Sequence, residues 1–289
     1  MVIMERLSVN DSIKIIDNLI INYPDLRNLL ELQKQILIAQ RRIRESPNKG
    51  TNINWEESHF IISNLQESIR KSNKPLINFL NPSIFNFDEL LNTFNQVIEV
   101  LSKIIVKKDD LLKNLSNELI KDIEALITAY LKNDEDFFIN YSKKLNISPT
   151  LIIFIINILI QPCFEEIANR IDSSILENWW QAPCPICGRK PIVAKLKNRK
   201  RYLICSLCNV EYLADLFLCV NCGNIDPATF KFLTPENHSE FRVDFCEKCK
   251  HYIKVIDEEK LKKPIPKGFE DILTIDLDIM AEKAGLIRD

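Results

Sequence analysis

Four Cys-x-x-Cys pairs, Cys184/Cys187, Cys205/Cys208, Cys219/Cys222 and Cys246/Cys249, constrain the fold of this chain more than any other feature. A two-residue gap lets both sulfurs of a pair face one ion, and two such pairs close a tetrahedron. Residues 188–204 separate the first pair from the second, within the usual window for two pairs sharing a metal. Residues 223–245 separate the third from the fourth, a slightly longer gap that a longer hairpin explains. Pairing first with second and third with fourth needs the least loop closure; an interleaved pairing stays open. The residues after the pairs agree with metal-wrapping turns. Gly188, Asn209 and Gly223 follow three of them, and these residue types accept a left-handed backbone most easily. Lys250 follows the fourth and breaks the pattern.

The eight cysteines are therefore read as ligands of two metal ions. Zn²⁺ is the default ion for a closed Cys₄ site, and Fe also suits four thiolates in a tetrahedron. A closed site has no open coordination position, so the expected role is structural and the chain is read as no enzyme. Cys163, the ninth cysteine, follows Pro162 and reads as a small buried hydrophobe. The three histidines, His59, His238 and His251, form no paired ligand motif. No nucleophile elbow, phosphate-binding loop or dinucleotide fingerprint is present.

Cysteines used for metals fit a reducing compartment. The first twenty residues lack a basic segment followed by an apolar stretch and a small-residue cleavage site, so a cytoplasmic protein is expected. The most apolar run, 151–160, is interrupted by Asn157 and is shorter than the about 20 residues a bilayer needs. It reads as a buried core helix, with no membrane insertion.

The rest of the chain is different in kind. Only 5 glycines occur in 289 residues, where average usage predicts roughly twenty, and none lies between Gly50 and Gly188. Leu90, Leu91, Phe94, Val97, Ile98, Leu101, Ile104 and Ile105 recur at helical spacing. So do Leu112, Leu115, Leu119, Ile123, Leu126 and Tyr130. Asn54 with Glu57 reads as a capping box, Asn86 precedes two acids, and Ser148 precedes Pro149 at a first helical position. Helices are predicted over 8–23, 25–45, 55–73, 86–107, 109–132, 134–146, 149–169 and 172–180, with a turn or short helix near 75–82. Beyond 180 the pattern changes to short β-rich runs at 192–193, 202–204 and 252–255. Helical spacing returns over 269–284, where Gly285 suits a cap and the tail is expected to dock on the body. No repeat of fixed period is evident. The expected architecture is α+β: an all-α domain over 1–180, a Cys₄ ribbon over 181–214, a second over 215–258, and a C-terminal helix within 269–289. Trp179 and Trp180 are expected to pack the ribbons against the helices.

Seven bases and no acid lie between Cys187 and Cys205: Arg189, Lys190, Lys195, Lys197, Arg199, Lys200 and Arg201. All but Lys195 are carried forward as partner-contact candidates on a solvated hairpin. A net charge of −2 argues against nucleic acid held by bulk charge.

The text from about 180 to 289 resembles the formate dehydrogenase accessory protein family, the FdhE type. The likeness rests on Cys184-Pro185-Ile186-Cys187-Gly188 with Pro191, and on Arg201-Tyr202-Leu203-Ile204-Cys205-Ser206-Leu207-Cys208 with Glu211 and Tyr212. It continues through Cys219–Cys222, Cys246–Cys249 with Tyr252-Ile253-Lys254, and Asp271, Asp276, Asp278, Glu282, Gly285 and Leu286. Lys250 stands where this family commonly has glycine, so a distorted last turn is expected. The resemblance implies tandem rubredoxin-like metal modules. It also implies a cytoplasmic maturation factor that binds the catalytic subunit of formate dehydrogenase or a related molybdenum or tungsten oxidoreductase. A redox protein with iron in its Cys₄ sites and a zinc-ribbon protein holding nucleic acid on the 189–201 hairpin are the competing readings.

Overall fold

Helix-forming periodicity fills the first part of the chain with α-helices, and the cysteine-rich part forms a sheet. The computed structural model describes residues 8–41, 44, 58–105, 118–236 and 238–288. The chain divides into two units, Met1–Leu65 with Ile77–Arg170 and Gln66–Leu76 with Ile171–Asp289. The helices described along residues 8–170 are α1 (Val9–Asn22), α2 (Arg27–Ala39), α3 (Ser58–Ser72), which passes from the first unit into the second at Gln66, α4 (Phe87–Ile105), α5 (Ile123–Leu131), α6 (Glu135–Leu145) and α7 (Pro149–Arg170). The capping box expected at Asn54 and the start of the helix expected over 109–132 lie outside the described residues.

Local chemistry sets the ends. The Asn86 side chain accepts from the Glu89 N–H at 3.3 Å, and the Ser148 hydroxyl accepts from the Thr150 N–H at 3.2 Å, as expected of both caps. The helix expected over 25–45 begins as a 3₁₀ turn at Pro24–Leu26 and ends its regular run at Ala39. The one expected over 109–132 is interrupted at Asp122, whose carboxylate accepts from the Tyr141 hydroxyl at 2.8 Å. Two 3₁₀ turns, Leu76–Phe79 and Pro82–Ile84, occupy the predicted turn segment.

Helix α7 is the core of the helical unit. Ile152, Ile155, Ile156, Ile158, Leu159, Ile160, Cys163 and Phe164 are all buried, packed against α4, α5 and α6. By length and composition it could cross a membrane, yet most of its apolar window is buried inside the protein. Burial of each large apolar side chain contributes roughly 1.5–3 kcal/mol. Pro162 has no N–H, so the Ile158 carbonyl loses its helical partner. Gln40, fully buried, supplies one: its Nε2 donates to that carbonyl at 2.6 Å, and its Oε1 accepts from Arg44, which also pairs with Glu165 at 2.5 Å. Asn157, the polar break in the run, accepts from the Tyr130 hydroxyl at 2.8 Å.

The second unit contains α8 (Ser173–Glu177), shorter than expected because Asn178 turns out of the helix. Its strands are β1 (Val193–Lys197), β2 (Lys200–Ile204), β3 (Glu211–Ala214), β4 (Phe230–Leu233), β5 (Phe241–Cys246) and β6 (Tyr252–Asp257). They form one six-stranded sheet in the order β3-β2-β1-β6-β5-β4. Each cysteine module reads Cys turn, strand, strand, Cys turn, strand, so β1-β2-β3 and β4-β5-β6 repeat one pattern that the unequal spacings hide. Pairing within a module is antiparallel, and β1 joins β6 in parallel, Val193 opposite Lys254. Asn198 and Arg199, both at positive φ, make the two-residue turn between β1 and β2 that matches strand twist.

The single C-terminal helix expected over 269–284 is two, α9 (Glu270–Leu273) and α10 (Ile275–Lys283), broken at Thr274, whose hydroxyl donates to the Glu270 carbonyl at 2.6 Å. Leu277 and Ala281 pack on Val243 and Tyr252, so the tail docks on β5 and β6. Residues Gln66–Leu76 also belong to this unit. The Leu76 N–H donates to the Pro185 carbonyl inside the first cysteine turn, and Arg70 reaches Asp172 at 2.8 Å.

Candidate metal centres

Each cysteine pair sits in the same backbone turn. The first cysteine's N–H donates to the carbonyl five residues on: Arg189 for Cys184, Val210 for Cys205, Asn224 for Cys219, His251 for Cys246. The N–H four residues on donates back to that cysteine's carbonyl, from Gly188, Asn209, Gly223 and Lys250, at 2.8–3.1 Å. Closing this turn requires a positive φ at the fourth position, and the four values are 72°, 53°, 68° and 62°. The last turn is therefore not distorted. Lys250 takes the left-handed conformation at its own conformational cost, and its carbonyl accepts from the Ile287 N–H at 2.9 Å, tying the C-terminal segment to the turn.

The sulfurs gather in sequential order, Cys184, Cys187, Cys205 and Cys208 in one group and Cys219, Cys222, Cys246 and Cys249 in the other, each group within 4.8 Å. Opposed sulfurs lie 3.6 and 3.2 Å apart in the first and 3.6 and 3.9 Å apart in the second. A metal–sulfur bond of about 2.3 Å in a tetrahedron puts sulfurs about 3.8 Å apart, so the donor set and spacing fit a Zn²⁺- or Fe-sized ion in each group.

Electrostatics point the same way. Burial pushes the Cys184 and Cys208 thiols well above their ordinary range, and it pushes Cys219 up to about 12. At Cys205 burial acts against the thiolate too, but hydrogen bonds from Cys184, Cys187 and Cys208 outweigh it and lower the pKa. Four thiolates together in such a pocket need a cation to balance them. Backbone N–H groups of Ile186 and Leu207 point at Cys184 and Cys205 sulfurs at 3.4 Å, and Asn224 Nδ2 lies 3.5 Å from the Cys246 sulfur.

The two groups differ in access. All four cysteines of the first are buried, whereas Cys222 is exposed and Cys249 half-buried. With two ions loaded, a chromogenic chelator is expected to withdraw the second at least about tenfold faster than the first, since opening a buried site requires local unfolding. Alkylation mapped by mass spectrometry should mark Cys222 before Cys184. Equal release rates, or earlier release from the first group, would show that burial does not govern exchange.

The basic run is not one solvated tip. Arg201 is 2% exposed, and its Nη1 donates to the Asp215, Leu216 and Leu218 carbonyls, closest at 2.8 Å to Leu218. It braces the loop into the second module and is no partner contact, a correction to the sequence reading. Lys195 is buried as well, its ammonium meeting Glu211 at 2.7 Å and Glu270 at 2.9 Å. Burial works against that charge, but the two carboxylates outweigh it and raise its pKa. Lys190, Lys197, Arg199 and Lys200 are exposed and Arg189 is half-buried. In the pairing Arg201 stands opposite Leu196 and Ala214, whereas Lys195 stands opposite Tyr202 on the other face, where Glu211 and Glu270 meet it. Trp179 is buried with its Nε1 donating to the Pro183 carbonyl at 2.6 Å, whereas Trp180 is half-exposed at positive φ.

A second cluster escaped the sequence reading. Lys254, 0% exposed, meets Asp271 at 2.5 Å and Asp278 at 2.9 Å; Arg288 caps both carboxylates, and the Tyr252 hydroxyl donates to Asp278 at 2.8 Å. The residues were visible in the text, but nothing in it says that they meet.

Comparison with known proteins adds four findings. The family model described as FdhE, central domain, matches residues 183–214. A protein FdhE homolog of Aquifex aeolicus is 26% identical over 215 residues, covering 72% of this chain and 71% of that one. Homologs of the same name from Enterobacter sp. and Haemophilus influenzae are 29% and 31% identical over 109 residues, spanning 36% of this chain and 35% of theirs. The crystal structure of the FdhE protein from Pseudomonas aeruginosa matches with a TM-score of 0.57 at 16% identity, over 90% of this chain and 86% of that one, which is a likeness of fold.

Proposed function

We infer the role of this chain from its likeness to the FdhE family, which the central-domain model, the curated homologs and the solved structure together support. That role is maturation: the protein binds the catalytic subunit of formate dehydrogenase, or of a related molybdenum or tungsten oxidoreductase, in the cytoplasm before the enzyme is complete. Cys184, Cys187, Cys205 and Cys208 hold one metal ion, and Cys219, Cys222, Cys246 and Cys249 hold the other, Zn²⁺ in the first instance. One observation carries the reading: two four-sulfur groups with matching turns stand on one continuous sheet, in the chain segment that matches the FdhE central domain and beyond it. A four-sulfur site leaves no coordination position for a substrate, so its chemistry supports binding and shape over turnover.

Capture of the tagged, full-length protein from its own cells is expected to enrich a molybdopterin oxidoreductase catalytic subunit. Cells lacking the protein are expected to contain that subunit but to lose most formate-dependent dye reduction. Full activity in such cells, with no oxidoreductase captured, would remove the reading.

Iron in the second group is the second reading, favoured by the exposed Cys222 sulfur, through which an electron could pass. Visible thiolate-to-iron absorption that bleaches with a reductant and returns in air identifies it; a colourless protein with zinc in both groups excludes it.

A further inference from the structure

We propose that a groove at the hairpin end of the sheet, between the β1–β2 turn, the loop 215–218 and the edge strand β4, is the docking site for an acidic, apolar stretch of the client protein. The proposal rests on the maturation reading for who the client is, but not for the chemistry of the contact.

Two adjoining hollows of about 480 and about 600 Å³ share Arg199, Leu216 and Phe217, and so form one trough within the second unit. Its apolar side chains are left in solvent. Ile225 and Phe232 are each 64% exposed, and Leu216 and Phe217 are close to half exposed. Single exposed apolar residues need no explanation, but a contiguous set around a trough marks an interaction site. The aromatic rings are held in place: Phe217 meets Phe230 at 5.8 Å between centroids, and Arg242 lies 5.4 Å from the Phe232 ring. A groove with pre-set aromatic anchors binds with less ordering cost.

The rim decides the charge of the occupant. Arg199, Lys200 and Lys231 form no ion pair among the described residues. Of the acids nearby, Asp244 pairs with Arg242 at 2.7 Å and Asp257 with Lys260 at 2.8 Å, whereas Glu259 accepts from the Asn198 N–H at 2.9 Å and keeps its charge. Asp215 and Glu259 stand against the three free cations, which leaves the rim net positive. An incoming segment with carboxylates beside leucine or phenylalanine would satisfy both rim and floor. A nucleic-acid strand fits less well, because the floor offers aliphatic side chains as well as rings. Strand β4 ends the sheet, so an extended segment also finds backbone groups there to pair with.

The test uses the full-length, metal-loaded protein and two variants, Lys200→Glu with Lys231→Glu, and Phe232→Ser. All three positions are exposed, so metal content and melting temperature should match the wild type and serve as the folding control. Binding is measured to three probes: the purified catalytic subunit of formate dehydrogenase, a short labelled peptide alternating glutamate with leucine and phenylalanine, and a labelled single-stranded oligonucleotide. The expected result is that the subunit and the peptide bind the wild type and each variant weakens both by about tenfold or more. If the subunit binds wild type and variants alike, the groove proposal falls and the maturation reading stands. If the subunit fails to bind while the peptide binds in a variant-sensitive way, the groove stands and the choice of client falls. If neither binds, or if only the oligonucleotide responds to the variants, the peptide-docking proposal is overturned.

Discussion

Cys184→Ser is expected to reduce bound metal from two ions per chain to one and to melt the first cysteine module. At a site of this kind binding energy is folding energy, about 10–16 kcal/mol in small zinc domains at neutral pH. That is as large as the entire stability of a typical domain, about 5–15 kcal/mol. Cys184 is fully buried, so serine also leaves three thiols without a partner cation in a pocket that water does not reach. The remaining ion should stay with the second group. Cys222→Ser, at the exposed corner, is expected to lose its own ion with a smaller drop in melting temperature, because water can solvate what remains. Metal content by mass spectrometry and thermal unfolding by circular dichroism measure both. Two ions still bound and an unchanged melting curve for Cys184→Ser would withdraw the ligand assignment. Ligation also releases thiol protons, so retention at both sites should weaken as pH falls.

The next largest effect is expected at Lys254. Removing one partner of a fully buried ion pair costs about 3–5 kcal/mol. Here Asp271 is 41% exposed and Arg288 stays beside both carboxylates, so solvent and the remaining cation reduce the loss to about 1–3 kcal/mol. Lys254→Met keeps the side-chain length but leaves Asp271 and Asp278 facing β6 with Arg288 as their remaining cation. Helix α9, α10 and the C-terminal segment should loosen together, since the same lysine also donates to the Asp271 carbonyl at 2.8 Å. Urea unfolding should show the loss, and proteolysis should cut first within 269–288. A change within about 0.5 kcal/mol, the range of ordinary surface substitutions, would show that Arg288 alone neutralises the pair.

These two residues mark what the sequence can and cannot disclose. Cys184 was legible because metal chemistry fixes ligand type and spacing, and both are written locally. The helices over Phe87–Ile105 and Pro149–Arg170 were legible for a similar reason, since apolar periodicity and caps are local signals. Lys254 could not be assigned a partner, because Asp271 and Asp278 are brought to it only by the packing of α10 on β5 and β6. Arg201 was misjudged because a run of bases reads as one charged tip, and the carbonyls of 215–218 that bury it are brought to it only by the fold. The segment 66–76 gave no sign of its allegiance: an amphipathic helix presents the same pattern whichever unit it packs on. The repeat of the cysteine modules was hidden by unequal hairpin lengths. The parallel contact between β1 and β6 has no local signature at all.

That contact has a consequence for how the chain is made. β1 lies at the middle of the finished sheet, yet its neighbour β6 is the last of the six strands in chain order, with the second pair of Cys turns emerging between them. The first module can bring its four sulfurs together while synthesis continues, but one side of β1 then waits as an open edge, the kind that invites mispairing. During that interval an incomplete chain has one four-sulfur group and half a sheet. Completion is signalled only when residues 252–257 add beside β1 and the C-terminal segment ties down Lys250. Truncation just before β6 should therefore leave the β1 edge open and make the shortened chain a client for the cell's chaperones.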